Sequence, residues 1–95
     1  MISIEDCIAL CGLDEEQVLA IAEHEHIPEI AAAALADYLL HKKRGPEMIR
    51  EMIIDDIHVA LKNQDLKHSH ELLMALRHFL EQFPELESPN SLPKY

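Results

Sequence analysis

A chain of 95 residues is one domain, and its net charge of −10 argues against a nucleic-acid backbone or an anionic membrane as the surface it meets, because both are recognised by lysine and arginine. With 48% hydrophobic but only 4% aromatic residues, the core must be aliphatic, and platforms for stacking bases or flat cofactors are scarce. The charge is uneven. Residues 1–41 hold nine acidic side chains and no lysine or arginine, whereas residues 42–95 hold nine acidic and eight basic ones.

In chain order, Ser3 with Asp6 resembles a capping pair, and Ile4, Cys7, Ile8 and Cys11 fall at helical spacing before Gly12, which predicts a helix over residues 4–11. The first six residues have no basic stretch and no long apolar run, so no signal peptide is expected. Two cysteines without a secretion signal read as reduced thiols, and the expected compartment is the cytoplasm. Cys7 and Cys11 share a helix face and could supply two zinc ligands, but further cysteine ligands are missing, so they read as small buried hydrophobes.

Asp14-Glu15-Glu16-Gln17 is a capping box, and Leu13 can staple onto Val18. The helix it starts, with Val18, Leu19, Ile21 and Ala22 on its inner face, should run from residue 15 to 24 or 25. Pro28 lacks an N–H and pushes Ile27 out of helical angles, so this helix breaks before the next, which opens at Pro28. Residues 30–40, IAAAALADYLL, are strong helix formers and apolar on almost every side. They predict the central helix of the domain, closed by His41, Lys42, Lys43 and Arg44 before Gly45.

Pro46 opens a helix to residue 62 whose stripe of Ile49, Met52, Ile53, Ile57 and Ala60 is interrupted once, by Asp56. After the turn Asn63-Gln64-Asp65, a last helix over residues 66–83 carries Leu72, Leu73, Leu76, Leu80 and Phe83. Pro84 stops it. The predicted fold is all-α, a compact irregular bundle of about five short helices around the Ala/Leu-rich one, with a domain over residues 1–84 and a flexible tail over 85–95.

Chemistry concentrates at Glu23-His24-Glu25-His26. Glu23 and His26 have the i,i+3 spacing with which bundle helices aim a carboxylate and an imidazole at one metal, and Asp55 with His58 repeats it. Convergence of Glu23, His26, Asp55 and His58, joined by His24, would suit a transition metal. Against this, di-iron bundles need two further glutamates and longer helices, and seven histidines among 18 acids produce such pairs by chance. The expectation is therefore no cofactor, with a transition metal as the alternative. His68, His70 and His78 read as a polar outer face that gains charge at low pH.

The two glycines, Gly12 and Gly45, form no phosphate loop, and no catalytic constellation rises above chance. Residues 14–40 mimic a helix-turn-helix in length, but the recognition helix would be apolar and acidic, which rules out reading base edges. The reading that follows is a non-enzymatic protein acting by protein–protein contact. It is expected to form a homodimer, with Met48, Met52 and Met74 as adaptable surface and the acidic half turned to a basic partner.

Overall fold

The computed structural model describes residues 12–87. Asp14 begins the first described helix, α1 (Glu15–Glu25), as a complete capping box: its carboxylate accepts from the Gln17 N–H, and the Gln17 side chain accepts from the Asp14 N–H. The expected break at Pro28 is present. His26 closes α1 in the left-handed region at φ 56°, and Pro28, extended at φ −63° and ψ 156°, is the N-cap of α2 (Glu29–Leu40).

A tight turn leads from Leu40 to α3 (Gly45–Lys62), with Pro46 in its first turn. A second turn, with Gln64 at φ 59°, leads to α4 (Leu66–Gln82), capped by the Asp65 carboxylate on the His68 N–H. A 3₁₀ turn, Pro84–Glu87, follows. The domain boundary expected at residue 84 falls inside this turn: Leu86 is buried in the core, and its carbonyl accepts from the guanidinium of Arg50.

Four α-helices are thus described, all-α as expected, and the predicted helix over residues 4–11 lies outside the described residues. The central place of the Ala/Leu-rich helix is a correction. Helices α1 and α3 each pack on all three others, whereas α2 packs chiefly on α1 and α3. Its inner face is Ala32, Ala33, Ala36 and Leu39, while Ile30, Ala34 and Tyr38 are exposed. An alanine offers little area, so leaving one in water costs little; a core is organised by bulk. That bulk is Ile49, Ile53 and Ile57 of α3 with Ile21 of α1 and Phe79 of α4.

Two predicted faces shift by one residue for a related reason. Adjacent apolar residues sit about 100° apart around a helix, so one of each pair turns outward. In α1 the inner positions are Gln17, Val18, Ala20 and Ile21, and Leu19 is exposed. In α4 they are Ser69, Leu72, Ala75 and Phe79, and Leu73 is exposed. Gln17 is fully buried and reaches across to α4, its Nε2 donating to the Ala75 carbonyl at 3.5 Å. This fixes how the two helices face each other.

Candidate functional site

Three elements bring charged side chains to one place. The last turns of α1 carry Glu23 and His24, the middle of α3 carries Asp55 and Asp56, and the first turns of α4 carry His68 and Glu71. Asp55 and Asp56, being adjacent, face different ways. Asp55 is exposed and its Oδ2 lies 3.1 Å from His24 Nε2, while His24 Nδ1 lies 2.8 Å from Glu25 Oε2. Asp56 turns inward and is only 5% exposed. Its Oδ2 is enclosed and makes no hydrogen bond to any described residue. From α4, His68 bridges two carboxylates, with Nε2 2.5 Å from Glu23 Oε1 and Nδ1 3.2 Å from Glu71 Oε1.

The ionisation of these groups follows from that placement. Burial pushes the Asp56 carboxyl up from 3.8 to about 7, and the field of Glu23 adds to it; the nearby Asp55 acts the same way, while His24 and His68 oppose. Burial disfavours the charged form of His24, but its hydrogen bonds to Glu25 and Asp55 and the charge of Asp56 outweigh that and raise its pKa. The hydrogen bond to Glu23 is the main cause that raises His68, helped by Glu71 against the cost of burial. Near neutral pH, Asp56 is thus poised to gain or lose a proton beside two histidines whose charged forms are favoured.

Beside this cluster runs a cleft of about 280 Å³ between α1 and α4. Leu19, Ala20, Leu72 and Ala75 supply its apolar lining, with Met74. Glu16, Glu23 and Glu71 bring carboxylates to it, with His68 and His70, and no lysine or arginine among the described residues lines it. Cluster and cleft share Glu23, His68 and Glu71, so they form one site.

Of the residues singled out from the sequence, the structure gathers Glu23, His24 and Asp55 around Asp56. His26 is spent on ending α1, and His58 is exposed on α3. Among the described residues, no group of three or more His, Cys, Asp or Glu is arranged to hold a metal ion. Asp56 and His68 stand outside the metal grouping drawn from spacing, Asp56 as a break in an apolar stripe and His68 as part of a polar outer face. Asp56 did leave a signal, as the lone carboxylate in the α3 stripe, and the pair His68 and Glu71 stands one turn apart. Asp65, three residues before His68, serves as the cap of α4. No helix is long and apolar enough to cross a membrane among the described residues. The chain matches no protein-family model, no curated protein and no solved structure.

Proposed function

We propose that this chain is a small, non-enzymatic cytoplasmic domain that acts through protein–protein contact, associating as a homodimer and turning its acidic side to a basic partner. The observation that carries this reading is the apolar surface of α4. Leu66 is 71% exposed and Leu73 48% exposed; seven residues apart, they stand two turns apart on one helix face. Val59 and Leu61 add exposed bulk at the end of α3. Apolar side chains grouped on one face of a small domain favour association, and a two-fold dimer needs only that one patch meet its own copy.

The test is sedimentation equilibrium of the wild type beside a Leu66→Glu, Leu73→Glu variant. Both side chains are exposed, so the variant should melt within about 1 kcal/mol of wild type while sedimenting as a monomer. A wild type that is monomeric at every concentration refutes the homodimer.

A second reading is a metal-binding helical protein using Glu23, His26, Asp55 and His58 with His24; what favours it is His24 Nε2 standing 3.1 Å from Asp55 Oδ2, with Glu23 one residue before His24 on α1. Elemental analysis of untagged protein, with melts in EDTA and in added zinc, iron, manganese or nickel, decides it. Stoichiometric metal and a melting point lowered by EDTA support this reading, because a ligand held only by the folded state stabilises it. Metal-free protein indifferent to both rejects it.

A further inference from the structure

The cleft between α1 and α4 has an order along its length. On α1, Glu16, then Leu19 and Ala20, then Glu23 follow one another at successive turns of the same face. This is an acidic, apolar, acidic sequence spread over about 10 Å at 1.5 Å per residue. Across from it α4 offers Leu72 and Ala75 with Glu71 beside them. Ala20, Leu72 and Ala75 are almost wholly buried and floor the cleft, while half-exposed Leu19 and partly exposed Met74 give it its accessible apolar wall.

Size and charge limit what can enter. About 280 Å³ falls just below the roughly 300–1,000 Å³ of sites that enclose a small molecule, so it suits one or two projecting side chains better than a whole cofactor. Three carboxylates with no lysine or arginine among the described lining residues repel phosphate and favour a cation. His68 already occupies one such place, lying between Glu23 and Glu71 at the end of the cleft. At the other end of the edge Glu16 is exposed and open to an outside charge.

We propose that this cleft is the docking groove for a cationic amphipathic helix of a partner protein, whose apolar anchor packs against Leu19 and Met74 while a lysine or arginine one turn away meets Glu16. The inference rests on the protein–protein reading above and names the partner's chemistry. Helix-in-groove recognition supplies the logic: anchors at i, i+3, i+4 and i+7 give affinity, and the flanking charges set orientation.

The test uses two dye-labelled peptides of about 18 residues, long enough to form helix on binding. One places leucine on a single face between lysines; the other has the same composition scrambled so that no apolar face exists. Fluorescence anisotropy should show the first binding at least roughly tenfold tighter than the second, since the charges are equal and only the anchor differs. A Glu16→Gln, Leu19→Lys variant changes two exposed side chains, and its unchanged circular dichroism melt would show that the fold survives. Its affinity for the faced peptide should fall by roughly tenfold or more. Backbone NMR shifts on binding should fall on α1 and α4. Equal binding of the scrambled peptide, full affinity in the variant, or shifts confined to α2 and α3 each overturn the groove. Where peptide binding fails but the protein still dimerises through Leu66 and Leu73, the groove alone is wrong. Where it fails and the protein is a monomer, the protein–protein reading falls with it.

Discussion

Replacing Asp56 by asparagine raises the melting temperature of this domain at pH 7 and 8, by less at pH 5, and hardly at all near pH 4. The wild-type carboxyl group titrates at about 7 in the folded chain against 3.8 when unfolded, so between those values the folded state holds a proton that the unfolded chain has released. Stability therefore falls as pH rises from about 4 to about 7. His24 and His68 act in the same direction. Their pKa values are raised by folding above 6.5, so their contribution is complete below 6.5 and is lost as pH climbs through the raised values. All three groups make the domain most stable in mildly acidic solution.

The magnitude decides that Asp56 dominates. At 1.36 kcal/mol for each tenfold change in proton affinity, ionising this buried carboxyl costs the folded state on the order of 4 kcal/mol. In a domain of this size that corresponds to a shift of about 10 °C or more. Asparagine keeps the shape without the charge, and its amide can donate toward Glu23 or Asp55. Circular dichroism melts of both proteins at pH 5, 6, 7 and 8 check this. A wild-type melting point flat across that range would show that Asp56 is not the buried, ionisable group described here.

The second large effect is expected at Gly45. A Cβ placed there would lie 1.5 Å from the Leu39 carbonyl oxygen and 2.5 Å from its carbon, and backbone cannot yield as a side chain can. That same carbonyl accepts from the Lys42 N–H at 3.1 Å, so the turn between α2 and α3 has to open to admit a methyl group. Gly45→Ala should cost about 3–5 kcal/mol, within reach of the whole stability of a domain this small. Gly12 is the control. It sits at φ +87°, but among the described residues its added Cβ would meet only Leu40 Cδ1 at an ordinary 3.8 Å, so Gly12→Ala should cost about 1–2 kcal/mol of backbone strain. Urea unfolding of the two variants separates the cases. A wild-type midpoint in Gly45→Ala would mean that α2 and α3 do not meet this closely.

Much of the helical layout was legible because it is decided within a few residues. Asp14 and Gln17 satisfy each other's backbone, Pro28 breaks a helix wherever it stands, and Asp65 caps the next N-terminus; each acts through neighbours one turn away. The stripe of α3 likewise marked its inner face, including the carboxylate that breaks it. The candidate site was only half legible. Glu23, His24 and Asp55 drew notice as a dense local cluster, but spacing along one helix cannot say which helix lies opposite. The i,i+3 argument therefore favoured His26, which the backbone uses to end α1, over His68, which arrives from 45 residues away.

What the sequence by itself determined is an acidic, all-α chain with its breaks at Pro28, Gly45 and Asp65, since capping, proline geometry and apolar periodicity are local. Tertiary structure alone decided that α1 and α3 rather than the alanine helix lie at the centre, because burial follows bulk and not mean hydropathy. It also decided that Gly45 has no room for a methyl group, that Asp56 is enclosed, and that an acidic-edged cleft runs between α1 and α4. Each of these depends on which surfaces meet across long separations in the chain, and packing complementarity is a property of pairs of surfaces that no single segment carries.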